Sequence, residues 1–328
     1  MPKNNPTCDS QKQHVSISIY AYNIIHNDSL TFKSGYNDSG IINDLITSYQ
    51  NNPFTLEEYP IVKDTYDKKE LKIRLNKKEN DKTLPFNYLY EGDAWKKNSQ
   101  ITRQGEFIRR LIETYAHSTF LRREEIYYWR ILKKIKEQIR QNAVISVSVN
   151  GKSYTVKPYR LSNKQESSYN YLIGFSREND TSPYIPASFR LSRIADTNTL
   201  YDENGDALTT KLTLSEINTL DSAIRERGVE YLIGKTEEFE VLLTKRGKGM
   251  FDSMYHLRPT YIKNKNNPTE LPDGNEIIKF NCTRRQIRDY FFRFGAEAII
   301  LSPQDLREDF HKQYLAAEES YRSYDQQL

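Results

Sequence analysis

The sequence predicts an α+β chain built from several modules, and three observations carry that reading. Its 328 residues exceed what one small core organises and fit two or three modules. A strand followed by a capped helix occurs twice in the first half, whereas from Ala143 the periodicity switches to two. Beyond residue 235 strands and helices take turns again. The predicted modules are a repeated strand-and-helix region with a helical linker over 1–140, a small barrel over 141–200, a second linker over 201–234, and a sheet with helices over 235–328.

The segment HVSISIYAYN alternates Val15, Ile17 and Ile19 with Ser16, Ser18 and Tyr20, as a half-buried strand does. Downstream, GYNDSGIINDLITSYQ offers Asp38 or Ser39 as a helix cap and Ile41, Ile42, Leu45, Ile46 and Tyr49 as an apolar stripe. The order returns in ELKIRLNKK, where Leu71, Ile73 and Leu75 alternate with Lys72, Arg74 and Asn76. It continues in NSQITRQGEFIRRLIETYAHS, which sets Phe107, Ile108, Leu111, Ile112 and Tyr115 on one face. With the apolar set on a core, Lys72, Arg74 and Asn76 face outward, and Ser16, Ser18 and Tyr20 are their counterparts.

This repeat, over residues 14–50 and 70–117, resembles the ribbon-helix-helix family of DNA-binding proteins. The resemblance implies that both strands pair into one ribbon, an intramolecular pseudo-dimer whose outward side chains read a major groove. The first strand offers hydroxyls and no cation, and TFKSGYND and TLPFNYLYEGDAWKK are poor copies of the family's first helix. The ribbon is therefore either a lopsided reader of duplex DNA or a scaffold.

Charge is uneven. Arg103 to Arg160 holds thirteen Lys and Arg against five Asp and Glu, a balance of +8 in a chain of net charge +4, so the remainder sums to −4. Such an excess is the footprint of a polyanion partner or the solvated face of a helix, since RREEIYYWRILKKIKEQIR mixes both signs at helical spacing.

In the middle module VISVSVNG, SYTVKPYRL, YNYLIGFS and ASFRLSRI are four short strands. Turns fall at Asn150–Gly151, around Asn163–Ser167 and across Asn179–Pro186. Four or five such strands make a small curled barrel. KPYRL, YNYLIGF and FRLSRI resemble the WYL domain, an Sm-like (SH3-type) barrel of bacterial regulators. Its Trp-Tyr-Leu signature falls on Asn170, Tyr171 and Leu172, so the Trp is missing.

The resemblance implies a nucleic-acid or nucleotide-like ligand, with Tyr159, Arg160, Tyr171, Arg190 and Arg193 as the residues carried over. A guanidinium fork suits phosphates and base edges, and a tyrosine ring offers a stacking plane. On a flat strand Arg190 and Arg193 face opposite ways, so they converge only if the strand bends near Ser192. Tyr171 either fills the barrel or meets the ligand, and Arg193 either meets the ligand or pairs with a core carboxylate.

In the last third, LTLSEINTLDSAIRERG reads as an acidic, helix-prone linker. EEFEVLLTKRGKGMFDSMYHLRPTYIK gives a strand, a helix opening near Lys248 and a strand. The remainder gives strand, helix capped by Thr283, strand, and a helix starting at Ser302–Pro303. The β-α-β-β-α-β order implies a ferredoxin-like sheet with helices on one face. NKNNPTELPDGN reads as a mobile loop, and Arg284, Arg285 and Arg288 as a basic patch or a solvated face. FFRFGAEAIILSPQDLREDF resembles the extension that follows WYL domains, which implies dimerisation or ligand gating and hence a homodimer.

Catalysis is not expected. His14, His26, His117, His256 and His311 lack paired spacing, Cys8 and Cys282 form no CxxC, and GxSxG, P-loop and GxGxxG motifs are missing, so neither metal nor cofactor is expected. The pairs Glu124–Glu125 and Glu237–Glu238 are expected on the surface. No apolar run approaches the roughly 18 residues of a membrane span, and MPKNNPTCDSQKQ lacks a signal-peptide core, so the chain reads as cytoplasmic, without membrane partners.

As a whole, the module order resembles the WYL accessory proteins of type VI-D CRISPR systems, with YNYLIGFS, SFRLSRI and YFFRFGAEAIILSP carrying the match. This implies a non-enzymatic regulator in antiviral defence that binds single-stranded RNA through the barrel and enhances an RNA-guided CRISPR nuclease. The alternative is a transcriptional regulator reading duplex operator DNA and sensing a nucleic-acid ligand. A protein-docking platform is the third reading.

Overall fold

The computed structural model describes residues 9–32, 37–59, 67–77, 81, 83–90, 92, 101–162, 165–262 and 268–325. Cys8, the centre of TFKSGYND, most of EGDAWKK, Asn163 and the start of NKNNPTELPDGN lie outside them. The chain is mixed α and β, with several antiparallel sheets. It divides into two compact units, Met1–Glu137 with Ser168–Asn170, and Gln138–Ser167 with Tyr171–Leu328.

In the first unit β1 (Asp9–Ser18) and β2 (Lys68–Lys77) pair antiparallel over their full length. Val15, Ile17, Leu71, Ile73 and Leu75 enter the core, while Lys72, Arg74 and Asn76 are exposed. The strand ends at Ser18, not at Tyr20. Ser18 Oγ accepts from Ala21 N at 3.1 Å and so caps a helix, α1 (Ile19–Phe32), which leaves Ile19 and Tyr20 exposed. A first helix thus follows the strand directly, upstream of TFKSGYND.

Next comes α2 (Asp38–Asn51), capped by Asn37 rather than Asp38 or Ser39: Gly40 N donates to the Asn37 side chain at 2.9 Å. After β2 stand α3 (Pro85–Tyr90) and α4 (Gln104–His117), so strand, helix, helix occurs twice. The stripes Ile41–Tyr49 and Phe107–Tyr115 are buried together.

The unit closes with α5 (Phe120–Tyr127) and enters α6 (Trp129–Arg140). Two buried carboxylates hold it. Asp28 accepts from Tyr115 Oη at 2.7 Å and from Arg123 Nε at 2.7 Å. Glu124, expected on the surface, is fully buried and accepts from the Asn170 backbone at 2.8 Å and its side chain at 2.9 Å. Helical spacing alone suggested solvation; the buried amide of Asn170 reverses it.

The second unit carries two sheets. β3 (Ile145–Val149) and β4 (Lys152–Leu161) form a hairpin over Asn150–Gly151, both at positive φ (51° and 77°) as a tight two-residue turn requires. β5 (Tyr171–Arg177), β6 (Ile185–Arg190) and β7 (Ile194–Thr199) complete an antiparallel sheet of order β6-β5-β4-β3-β7. The register slips between Pro158 and Arg160, which makes Tyr159 the extra residue of a bulge.

A helix, α7 (Leu214–Arg227), starts at a Thr213–Glu216 capping box and stops at Gly228 (φ +80°). The turn Val229–Tyr231 then lies against β5 and β6, where Ser188 Oγ donates to Val229 O.

The second sheet uses β8 (Thr236–Leu243), α8 (Lys245–Ser253), β9 (Thr269–Glu270), β10 (Glu276–Thr283), α9 (Arg284–Phe291), β11 (Ala298–Ser302) and α10 (Gln304–Asp325). Its order is β11-β8-β10-β9, all antiparallel. Phe239, Val241 and Leu243 share a face with Ile278, Phe280 and Cys282, against Phe251 of α8 and Ile287, Tyr290 and Phe291 of α9. α8 opens at Lys245 under a Thr244 cap, ahead of the expected Lys248, and Thr283 caps α9. Among the described residues no helix is long and apolar enough to cross a membrane.

Candidate nucleic-acid interface

Tyr171 opens β5 and Arg190 closes β6, and the register sets them directly opposite. β6 then gives way to a 3-10 turn over Leu191–Arg193, the bend that lets Arg193 approach the same place. The start of β5 is fixed by Ser162, whose Oγ accepts from Tyr171 N at 2.8 Å while its own N donates to Tyr171 O at 2.8 Å.

From the second sheet Arg285 of α9 stands 5.7 Å from the ring of Tyr231. Burial pushes the Tyr171 phenol up to about 12. The Glu230 carboxylate adds to that rise, while Arg190, Arg285 and Arg193 oppose it.

The carried-over residues separate. Arg190 is half-buried and Arg193 exposed, so both line accessible surface. Tyr171 is 7% exposed; its ring is the floor of the cluster and has no open face for a base. Arg160 donates to both oxygens of Glu166, at 2.8 and 2.6 Å, and its guanidinium lies 5.4 Å from the Tyr159 ring. Glu166 thus matches its charge.

Sequence reasoning missed Glu230 and singled out Arg285 only as part of a basic helix. Of its neighbours in RRQIR, Arg284 is held by Glu237 and Asp305, and Arg288 by Asp309. The local signal for Glu230 was Gly228, the break that turns GVEY out of the helix.

The ribbon differs from expectation in charge. Because β1 reaches back to Asp9, Lys12 stands opposite Arg74 and His14 opposite Lys72, so the first strand does carry a cation. Farther along, Ser16 faces Glu70 and Ser18 faces Lys68; Glu70 pairs with Lys68 at 2.8 Å and accepts from Ser16 Oγ. One half of the outer face is basic and the other neutral. A cleft of about 480 Å³, lined by Tyr22, Ser39, Lys69, Lys72 and Arg74, flanks the basic half.

Within the +8 region, Arg110, Arg122, Arg123, Lys152 and Arg160 are matched by carboxylates. On α6 Leu132, Ile135 and Gln138 are buried, while Arg130, Lys133 and Lys136 face solvent. Among the described residues no group of three or more His, Cys, Asp or Glu could hold a metal ion.

No family model and no curated protein matches the sequence. The structure is similar to one described as "Crystal structure of a CRISPR Cas-related protein", at 20% identity and a TM-score of 0.65, over 99% of this chain and 97% of that one. The two share a fold along their length. The proteasome accessory factor B/C of Arthrobacter aurescens matches 73% of this chain and 35% of its own, at 16% identity and a TM-score of 0.29, too low to bear on the fold.

Proposed function

We propose that this chain is a non-enzymatic, CRISPR-associated regulator that binds single-stranded RNA at the Arg190–Arg193–Arg285 cluster and enhances an RNA-guided RNA nuclease. The carrying observation is Arg190 held opposite Tyr171 by the β5–β6 register, with Arg193 in the turn that follows and Arg285 5.7 Å from the Tyr231 ring. A fold shared end to end with a CRISPR Cas-related protein supports the association. The two strand–helix–helix repeats with their common ribbon support a ribbon-helix-helix pseudo-dimer. The five-stranded antiparallel sheet with its bulge supports a WYL-type, Sm-like barrel. Strand order β11-β8-β10-β9 supports a ferredoxin-like extension that carries a homodimer contact.

Phosphate neutralisation by exposed arginines gives sequence-tolerant binding that weakens with salt. Fluorescence anisotropy with a labelled unstructured RNA and a duplex DNA of equal length tests this, the RNA being the tighter ligand. A second reading, operator recognition, is favoured by the pairs Lys12–Arg74 and His14–Lys72 on the ribbon. It requires the duplex to win that comparison.

A further inference from the structure

The second sheet ends in two unlike edges. On one side β9 is two residues long and exposes Glu270, so it offers little to pair with. On the other, β11 reads AIILS, with no charge and no proline, and only its inner side is taken, by β8. A bulge at Leu301 bounds the regular stretch Ala298–Ile300, and no described strand covers its outer side. Folded proteins blunt or cover such edges, because their free N–H and C=O groups template another strand. β11 is neither charged nor covered, and Ile299 on it is 43% exposed.

Beside that edge lies a cleft of about 940 Å³, walled by Ala298, Ile299 and Ile300 on one side and by α10 on the other. The α10 wall presents two cations, Arg307 and Lys312, and the imidazole of His311, all exposed. Among the described residues none of these three side chains has a carboxylate or hydrogen-bond partner. Glu308, the acid in the lining, accepts from Gln304 Nε2 at 3.0 Å. The rings of the cleft are already engaged. Phe310 is buried, and Tyr314 stacks on Phe292 at 4.9 Å and donates its hydroxyl to Phe292 O at 2.9 Å, so no platform is left for a base.

An open strand edge suits a segment that is itself extended, and unmatched cations on the facing helix suit acids. The geometry points to an acidic, extended segment of a partner protein, which enters the cleft and pairs with Ala298–Ile300 as a further strand of the sheet. Main-chain bonds to β11 hold it, and its carboxylates meet Arg307 and Lys312 on α10. Two copies of this chain joined edge to edge would instead set the same cations against each other, which leaves a homodimer contact to another face of the extension. The site is independent of the RNA reading above.

The test is anisotropy on the full-length chain with a labelled, capped peptide of alternating Val and Glu, beside its Val–Lys counterpart and a copy with every backbone nitrogen methylated. Wild type binds the acidic peptide saturably, and binds the lysine peptide and the methylated copy each at least about tenfold more weakly. Arg307→Glu combined with Lys312→Glu, both on the surface and melted alongside wild type, also loses about tenfold or more. Equal affinity for the methylated copy removes the strand pairing, and undiminished binding in the double variant removes the recognition of acids; either overturns the proposal. It is overturned as well if the acidic peptide does not bind. The same holds if an unstructured RNA displaces the peptide and itself weakens in the double variant, which gives the cleft to nucleic acid. A dimer in sedimentation that Ile299→Lys splits gives the edge to a second copy and ends the proposal too.

Discussion

Tyr171 and Arg190 face each other across β5 and β6, the tyrosine buried and the arginine half-buried with its Nε shut from solvent. A cross-strand pair of this kind places a fixed cation over a closed floor. The same phenol also reports on stability. Tyr171 and Tyr290 are both held up at about 12 by burial, against 10.0 ordinarily, and burial lifts the Cys282 thiol from 9.0 to about 12. Because these folded values are raised, the stability they confer is full below the unfolded values and disappears as pH climbs through the folded ones. The melting temperature of the second unit therefore holds to about pH 9 and falls steadily toward pH 12. A flat profile across that window contradicts the assignment.

Asp28 is 3% exposed and answers both Tyr115 and Arg123. Replacing it with Ala strands a buried guanidinium. The first unit then loses about 3–5 kcal/mol, measured by urea unfolding.

Gly174 has no room for a side chain: a Cβ there would sit 2.3 Å from Lys157 O and 3.0 Å from Pro158 Cα, both backbone. Gly174→Ala must push β4 away at its bulge. The expected loss is at least about 1–3 kcal/mol, with soluble yield falling alongside.

Asn170, where a WYL resemblance would put a Trp, has a task of its own in the structure. Its side chain donates to Glu124 at 2.9 Å and to Leu121 O at 3.0 Å. Asn170→Trp overfills the site and removes one of the donors to Glu124. Thermal unfolding should show a loss of about 2 kcal/mol or more, where a gain would mean the Asn is incidental.

The ribbon was legible because Leu71, Ile73 and Leu75 alternate strictly with polar residues. Its full length was not. Gln13 pairs with Ile73 and the stretch DSQKQ carries no apolar residue, so no alternation announces the start of the strand. That concealed Lys12 and His14 from the charge argument. β7 escaped for a like reason: IADTNT buries Ile194 and Thr197, too little apolar pattern to read as a strand. The bend after Arg190 could be stated as a requirement from strand geometry but not located. Arg285 and Glu230 come to Tyr171 only through the packing of distant segments, and Glu166 claims Arg160 across a turn whose shape no local motif fixed.

Under the proposed function the arginines beside Tyr171, and not the ribbon, take up nucleic acid as a single strand. Titrating labelled RNA and duplex DNA against wild type, Arg190→Ala and Arg193→Ala at several salt concentrations tests it most directly. The account predicts RNA preference in wild type, roughly tenfold or greater loss in each variant with unchanged melting, and a salt slope shallower by about 0.7 for each arginine removed. Undiminished RNA binding in both variants, or a duplex preference that disappears with Lys72→Ala and Arg74→Ala instead, contradicts it.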